Sequence, residues 1–428
     1  MNEDTAAERA VEKFLEFIDA DVASYAESCV HCGECAEACH FYLATNDPKY
    51  TPIYKLFPLV KAYKRHKAPF SSLKRMIGMS PDEVTIEELK EWEPLVYDSC
   101  TMCGRCTLVC PMGIDIAGTI RKMREGYVAA GLVPAGLVAA AKNAEATGSP
   151  MGVTMKALSA QIAHQEKETG IPIEIDKIGA DYMAILSSME IMGYPEIIGA
   201  YAKLFKQAGV SWTISSEAFE ATNVGVQMGS GTLAKKLVQR VVDAAEKLDV
   251  KYVISPECGH AYGALRWAGP NLIGRPFKFK VVHIIELLDQ LRREGRLPAG
   301  QKDTRRMTLH DPCQIIRRGG LMKEPRSLLN DSCDDFVEMA NSGLTNLCCG
   351  GGGGVSANPR AEELQMAAFS LKLKQIDNIG DVEAVVVPCA NCRTVFEDGL
   401  DENEVDLPVI GLGELVAATL KEASDETN

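Results

Sequence analysis

The chain has 428 residues, 46% of them apolar and 24% charged, so it is long enough to bury more than one core and shows no sign of extended disorder. Its formal net charge of −14 argues against a nucleic-acid partner, because phosphate binding requires a basic face. Fifteen cysteines without a secretory leader predict a cytoplasmic protein, in a reducing compartment where thiolates bind metal and seldom form disulfides.

The chain begins with an amphipathic helix predicted over residues 3–21. Its apolar residues Val11, Phe14, Leu15 and Ile18 recur at helical spacing on one face. We expect this face to pack on the domain that follows.

Two cysteine runs with one spacing, C-x2-C-x2-C-x3-C, come next. The first run contains Cys29, Cys32, Cys35 and Cys39, and the second contains Cys100, Cys103, Cys106 and Cys110. At this spacing three cysteines of a run hold one 4Fe-4S cluster and the fourth reaches the neighbouring cluster. The predicted ligand sets are therefore Cys29, Cys32 and Cys35 with Cys110, and Cys100, Cys103 and Cys106 with Cys39.

A zinc site is the alternative for a lone C-x2-C pair, and two complete four-cysteine runs make it the weaker interpretation. The runs resemble those of bacterial two-cluster ferredoxins. This resemblance implies electron transfer and a helical two-cluster ferredoxin-like domain over residues 1–130.

A basic stretch over residues 54–75 separates the two runs. It contains Lys55, Lys61, Lys64, Arg65, Lys67, Lys74 and Arg75. The favoured interpretation is a solvated helical face, and the alternative is a docking surface for an acidic partner or for membrane headgroups.

Residues 131–170 are predicted to link the domains, and their alanine-rich part is predicted to be helical. The apolar stretch 127–141 is too short to span a bilayer and is interrupted by Pro134. Any membrane link is therefore expected to run through partner subunits.

The rest of the chain has the pattern of two α/β units, over residues 171–300 and 301–428. Short apolar runs predict strands at 252–254 and 384–387, and helical periodicity appears at 199–208, 233–248 and 361–376. Each of the two strands leads into a proline and a cysteine, as expected where strand ends present ligands. The fold class is therefore α+β and α/β.

Five cysteines of the last unit form a third candidate metal site. They are Cys313, Cys348, Cys349, Cys389 and Cys392, with glycine running from Gly350 to Gly354. Vicinal cysteines on a loop without side chains can bring two thiolates and bare backbone against one inorganic core. The glycine run lacks the features of a nucleotide-binding loop, so we expect it to provide flexibility beside the cluster.

A shift of 125 residues relates the last unit to residues 171–300. It places Cys313 on Ser188, and it places Cys348 and Cys349 on Asn223 and Val224. A shift of 134 places Cys392 on Cys258, the one cysteine that the earlier unit retains. The earlier unit is thus a degenerate copy that has lost its ligand set.

The five-cysteine pattern resembles the CCG domain of heterodisulfide reductase catalytic subunits, including the strings His310 to Cys313 and Pro388 to Arg393. The resemblance implies one noncubane 4Fe-4S cluster held by these five cysteines, where sulfur–sulfur bonds are broken or made. A ferredoxin domain fused to such units, the first of them degenerate, is similar to the group of proteins that comprises HdrD, DsrK, TmcB and HmcF.

That resemblance implies a cytoplasmic subunit, peripheral on the inner face of the membrane and bound to a haem b membrane subunit. The substrate would be a disulfide or trisulfide on a DsrC-like thiol carrier protein, or a small disulfide. Electrons would pass from two cubane clusters to the noncubane cluster. The alternative is a non-catalytic subunit that carries electrons between a flavoprotein dehydrogenase and quinone, and a zinc-binding scaffold is a third hypothesis.

Three residues of the degenerate unit are candidate catalytic residues. Cys258 is expected to lie across from the noncubane cluster, where its thiol could form a mixed disulfide with substrate. Glu257 and His260 flank it and are candidate proton donors. The alternative is that Cys258 is a buried relic of the lost ligand set.

Overall fold

The computed structural model describes residues 3–421, and contacts divide the chain into two compact units. The first unit contains the residues up to Ala141, together with Val224–Leu233 and Cys348–Leu371. The second contains Lys142–Asn223, Ala234–Leu347 and the residues from Lys372 onward. Neither unit is continuous in sequence, and the domain boundaries expected at residues 130, 170 and 300 stay predictions.

The first unit is helical. Its helices are α1 (Glu3–Glu16), α2 (Ala20–Ser28), α3 (Glu34–Glu37), α4 (His40–Thr45), α5 (Phe57–His66), α6 (Ser71–Met76), α7 (Ile86–Tyr97), α8 (Arg105–Val109), α9 (Ile116–Ala130), the first part of α10 (Ala135–Thr147), α14 (Val224–Met228) and the first part of α20 (Glu362–Ile379).

The predicted N-terminal helix is shorter than expected. It ends at Glu16, and Asp19 then starts α2 because its carboxylate accepts a hydrogen bond from Val22 N. Helix α1 packs on α9, where the ring centroids of Phe14 and Tyr127 lie 6.2 Å apart. The expected packing of this helix on the ferredoxin-like domain is therefore confirmed.

Residues from the end of the chain complete the core of the first unit. Phe41, Val355, Ala361 and Ala368 form one buried apolar cluster, with Tyr50 packed against it. We call residues 348–355 the CCG loop. Because Val355 at its end packs with Phe41, this loop shares a core with the first cysteine run.

The second unit contains two parallel four-stranded sheets with the strand orders β2-β1-β3-β4 and β6-β5-β7-β8. The strands are β1 (Tyr182–Ala184), β2 (Trp212–Ile214), β3 (Tyr252–Ser255), β4 (Lys280–His283), β5 (Asp303–Leu309), β6 (Cys333–Val337), β7 (Ala384–Val386) and β8 (Val409–Ile410). Because the two orders are equivalent, the structure confirms two copies of one α/β unit.

Helices accompany both sheets. They are the rest of α10, then α11 (Met155–Thr169), α12 (Ser188–Met192), α13 (Glu196–Gln207), α15 (Gly231–Lys247), α16 (Gly259–Tyr262), α17 (Gly269–Ile273), α18 (Ile284–Arg293), α19 (Glu324–Ser332), the rest of α20, α21 (Ala390–Glu402) and α22 (Leu412–Ala418), with a π-helical turn at Gly263–Ala268. Strands β3 and β7 and helices α13, α15 and α20 occupy the predicted positions to within a few residues.

No single helix among residues 3–421 is both long enough and apolar enough to cross a bilayer. Only together do helices α9 and α10 have the length and composition of a membrane span, and this pair is bent by 87°.

Candidate functional site

The two N-terminal cysteine runs have the same backbone form. In each run a non-glycine residue in the left-handed region, His31 (φ 52°) or Met102 (φ 53°), precedes a cysteine that a left-handed glycine follows. These glycines are Gly33 (φ 88°) and Gly104 (φ 77°). The turn they make curls three cysteines of each run around one point.

Each run encloses its own cavity, and each cavity takes one cysteine from the other run. The first, which we call the Cys29 cavity, is lined by Cys29, Cys32, Cys35 and Cys110. The second, the Cys100 cavity, is lined by Cys100, Cys103, Cys106 and Cys39. Four thiol donors around one space are the donor set of a 4Fe-4S cluster, so these residues fit the group.

The Cys100 cavity lies beside two buried cations. Lys55 is only 2% exposed, and its Nζ atom donates to the carbonyl of Ser99 and lies 3.9 Å from Cys39 Sγ. Lys55 therefore does not belong to an exposed basic face, which corrects the expectation for this residue. Arg124 is fully buried and donates to the carbonyl of Cys100 at 2.8 Å.

Among the described residues, the lining of the Cys29 cavity contains His31 but no lysine, arginine or carboxylate, and the cavity opens to the surface. Cys32 is exposed, as are the neighbouring apolar side chains of Val30 and Met112. This cavity is therefore the more accessible of the two.

The CCG loop contacts the Cys100 cavity within the first unit. Cys348 Sγ lies 3.4 Å from Thr101 Oγ1, and Cys348 also hydrogen-bonds Cys103, a contact that raises the pKa of Cys103 together with its burial. Both Thr101 and Cys103 belong to the wall of the Cys100 cavity. One candidate ligand of a cubane thus touches one candidate ligand of the noncubane cluster.

The glycines of the loop serve close packing. A Cβ atom at Gly353 would lie 2.8 Å from the carbonyl carbon of Thr101, and one at Gly354 would lie 2.7 Å from Leu137 Cδ2. Both glycines also have left-handed φ angles, 65° and 90°. The expectation of a flexible glycine run was wrong, because these residues bring the loop backbone against the Cys100 run.

The five CCG cysteines are all buried, and the division into units separates them. Cys313, Cys389 and Cys392 belong to the second unit, whereas Cys348 and Cys349 belong to the first. Their assembly around one cluster stays a prediction.

Within the second unit, Cys389 and Cys392 stand at the start of α21, directly after β7. A hydrogen bond from Cys392, with further ones from backbone N–H groups, lowers the pKa of Cys389. A ring nitrogen of His310 lies within 4.8 Å of Cys392 Sγ. This arrangement favours thiolate at the C-x2-C pair.

His310 is an orphaned polar group. It is fully buried, and neither ring nitrogen has a hydrogen-bond partner among the described residues. An unpartnered buried imidazole beside the C-x2-C pair is expected where a bound group completes the site, so the donor set in this unit also fits a metal cluster.

The degenerate unit places Cys258 and Glu257 next to Cys389. Cys258 is 7% exposed, and burial, followed by the nearby Cys389, raises the pKa of its thiol. Glu257 is buried too, and its carbonyl accepts a hydrogen bond of 2.9 Å from Ala390 N. His260 lies in α16 and is half-buried.

Two buried carboxyls that the sequence did not indicate lie near Cys258. Burial raises the pKa of Glu190 to about 7 and that of Glu220 to about 8. Glu190 Oε1 accepts from Glu257 N at 3.0 Å, and Glu220 Oε1 accepts from Thr222 N at 2.7 Å. The backbone of Ser188, the residue that the 125-residue shift aligns with Cys313, partly offsets the rise in the pKa of Glu220.

Comparisons with known proteins agree with the architecture. Residues 25–114 match the domain family described as a 4Fe-4S dicluster domain, and residues 307–397 match the CCG family, described as a cysteine-rich domain. These matches support bound 4Fe-4S clusters.

Several curated relatives align with almost the whole chain. An Hdr-like menaquinol oxidoreductase iron-sulfur subunit 2 of Archaeoglobus fulgidus is 26% identical over 92% of this chain and 80% of the relative. The HdrD protein of the dihydromethanophenazine:CoB--CoM heterodisulfide reductase of Methanosarcina barkeri is 27% identical over 92% of this chain and 94% of the relative. An EtfAB:quinone oxidoreductase of Syntrophomonas wolfei is 26% identical over 89% of this chain but only 56% of the relative.

Proposed function

Because this chain is a CCG-domain iron–sulfur protein of the HdrD type found in heterodisulfide reductases, we propose that it is the catalytic subunit of a membrane-associated redox complex. Its reaction is the reduction, or the formation, of a disulfide or trisulfide bond. The site of this reaction is one noncubane 4Fe-4S cluster, which two cubane 4Fe-4S clusters supply with electrons.

Thirteen cysteines would hold these groups. The ligand sets are Cys29, Cys32, Cys35 and Cys110 for one cubane, Cys100, Cys103, Cys106 and Cys39 for the other, and Cys313, Cys348, Cys349, Cys389 and Cys392 for the noncubane cluster. When bound, the clusters supply one-electron steps and an iron centre at which sulfur can bind.

The observation that carries the proposal is the contact of Cys348 with Cys103 and Thr101. A generic two-cluster ferredoxin has no need for a third thiol site against the wall of its cubane cavity. The contact gives a direct path between a cubane ligand and the CCG loop. An electron partner then docks at the accessible Cys29 cavity. The cluster in the Cys100 cavity passes the electrons on toward the CCG loop.

Within the second unit, the chain's own residues provide protons and a thiol beside Cys389. Disulfide reduction consumes two electrons and two protons and releases two thiols. Cys258 lies beside Cys389, and burial raises the pKa of Glu190 to about 7, so this carboxyl can hold a proton near neutral pH. Glu190 is close to this position, because its Oε1 atom lies 3.0 Å from Glu257 N. We assign Cys258, Glu257 and His260 as the catalytic residues.

The partners follow from the same proposal. The relatives are subunits of redox complexes, and the Archaeoglobus fulgidus relative carries menaquinol in its name. We propose a haem b membrane subunit as the electron partner, and a DsrC-like thiol carrier protein or a small disulfide as the substrate. The protein would lie at the inner, cytoplasmic face of the membrane.

A second candidate function is a non-catalytic conduit between a flavoprotein dehydrogenase and the quinone pool. The similarity to the EtfAB:quinone oxidoreductase of Syntrophomonas wolfei favours it specifically. In a conduit, Cys258 would have no role in turnover.

Anaerobic electron paramagnetic resonance with candidate thiol carriers tests the proposal. We expect a carrier-dependent paramagnetic signal in addition to those of two cubanes. The Cys258→Ser variant should keep all cluster signals and lose disulfide turnover. The control Cys333→Ser, at another buried cysteine of the second compact unit, should keep both the signals and the turnover. If no thiol carrier changes the paramagnetic signals, and Cys258→Ser has the same turnover as the wild type, the chain is an electron conduit instead.

A further inference from the structure

An exposed apolar segment projects from the first unit at residues 70–79, and we call it the 70–79 surface. Every residue from 72 to 79 is exposed. Phe70 is 76% exposed, Met76 78% and Met79 72%, and Leu73 and Ile77 are about half exposed. Among the described residues, five of the seventeen exposed large apolar side chains fall within these ten positions.

Such a concentration is not expected of a surface that meets only water. Single exposed apolar residues are ordinary, but contiguous patches mark sites of interaction with proteins or membranes. Helix α6 (Ser71–Met76) buries only Ser71, so packing within its own unit does not account for these side chains.

The backbone at the start of the segment is held in an unfavourable conformation. Phe70 has φ 59°, in the left-handed region that bulky residues rarely adopt. This conformation is retained although the Phe70 side chain gains almost no burial from it. The turn lets Ser71 N donate to the carbonyl of Ala68 at 3.0 Å, and it leaves the Phe70 ring in solvent.

Some of the charges around the 70–79 surface are positive and unneutralised. Lys64, Lys67 and Lys74 are exposed and have no acidic partner among the described residues. Beside the segment, Arg65 and His66 share Glu83, and Lys61 pairs with Glu88 at 2.5 Å, so these cations are already neutralised. The unpaired lysines therefore leave a local positive field on a chain whose net charge is −14.

We infer that the 70–79 surface binds directly to the headgroup region of an anionic lipid bilayer. Lysines beside exposed Phe, Leu, Ile and Met side chains satisfy both requirements of interfacial binding, charge attraction and burial of apolar surface. Leu73, Met76 and Ile77 recur at helical spacing, and a lipid interface suits so short a helix because it needs no matching groove. The inference goes beyond the proposed function, in which partner subunits alone provide the membrane link.

Vesicle flotation of the anaerobically purified, cluster-loaded chain tests the inference. We expect binding to protein-free vesicles that contain phosphatidylglycerol, weakening as salt increases, and little binding to vesicles of phosphatidylcholine alone. The Ile77→Ser/Met79→Ser variant should bind the anionic vesicles roughly tenfold more weakly. Lys67→Gln/Lys74→Gln should show a weaker salt dependence than the wild type. Ile178→Ser, at an equally exposed residue of the second unit, should bind like the wild type.

The inference would be overturned if the wild-type protein did not bind protein-free anionic vesicles. It would also be overturned if the Ile77→Ser/Met79→Ser variant bound them as tightly as the wild type. Binding confined to native membranes that carry partner subunits would also overturn it, in favour of a protein partner. The cluster spectra and the viologen-driven disulfide reduction of every variant are measured in parallel. Both should be unchanged, so failure of lipid binding and failure of the proposed chemistry are distinguishable.

Discussion

The ammonium group of Lys55 lies 3.9 Å from the sulfur of Cys39, and both line the Cys100 cavity. The ammonium also lies 5.5 Å from the centre of the Phe41 ring, and little water reaches it, since Lys55 is 2% exposed. A buried cation at this distance stabilises whichever cluster state carries more negative charge. Among the described lining residues, the Cys29 cavity has no counterpart.

We predict that Lys55→Met lowers the midpoint potential of the cubane in the Cys100 cavity by on the order of 100 mV, because the reduced cluster loses a nearby cation. A potentiometric titration followed by electron paramagnetic resonance measures this shift. The cubane in the Cys29 cavity and the exposed-site variant Lys64→Met should show wild-type potentials. Equal potentials in wild type and Lys55→Met would refute the prediction.

The crossing of the cysteine runs predicts which cluster each substitution removes. Cys110→Ser should damage the cubane beside Cys29, although Cys110 belongs to the run that begins at Cys100, because Cys110 lines the Cys29 cavity. Cys39→Ser should damage the other cubane for the same reason. Iron analysis and the resolved signals of the two cubanes check this outcome, and loss of the cluster of the same run in both variants would contradict it.

Arg124 is predicted to be a large contributor to stability. Its guanidinium donates to the carbonyls of Val96 and Cys100, each at 2.8 Å, and to those of Gln227 and Gly353. Arg124→Met would leave these buried carbonyls without donors, so we expect a loss of about 3–5 kcal/mol in the free energy of unfolding.

Anaerobic chemical unfolding measures this loss. Lys122→Met is the matched control, because Lys122 makes only a partly exposed ion pair with Asp19, and its removal should cost less than about 1 kcal/mol. An Arg124→Met variant as stable as Lys122→Met would show that the buried guanidinium is not required.

Glu220 is predicted to make stability fall as pH rises. Burial raises the pKa of this carboxyl from 4.5 to about 8 in the folded protein. Between these values the folded state retains a proton that the unfolded chain has released, so the free energy of unfolding decreases with pH by at most about 1.4 kcal/mol per pH unit. The contribution is complete below the unfolded pKa and lost above the folded one.

Glu220→Gln should flatten this decline, because the neutral amide still accepts the hydrogen bonds and has no proton to lose. Unfolding midpoints across the same pH window check the slope. Glu217→Gln, at an exposed glutamate three residues earlier, should retain the wild-type slope. Identical slopes in wild type and Glu220→Gln would exclude Glu220 as the origin.

Patterns that act over short distances were predictable from the sequence. The apolar runs that became β3 and β7 lead directly into Cys258 and Cys389, so strand positions and cysteine positions were found together. That each cavity takes one cysteine from the other run was expected from the fixed spacing of the runs, and the assignment of these cysteines as cluster ligands stays a prediction. The repeated strand order was expected because shifts of 125 and 134 residues align the two α/β units.

Features that depend on distant partners were not predictable. The burial of Lys55 depends on the carbonyl of Ser99, 44 residues away, and nothing near Lys55 in sequence distinguishes it from the exposed lysines that follow. Glu220 aligns with Thr345 in the intact unit, so its burial near Ser188 leaves no mark in a comparison of the two copies. The tight packing of Gly353 likewise requires knowledge of Thr101.

The carbonyls that Arg124 binds have a consequence for biosynthesis. Gln227 and Gly353 are translated long after Arg124, yet their carbonyls are needed to satisfy its guanidinium. The nascent N-terminal segment cannot finish folding on the ribosome until most of the chain has emerged. An excised fragment ending near Ala141 should therefore be a poor folding module, and delivery of iron and sulfide to it should be inefficient until the full-length polypeptide is released.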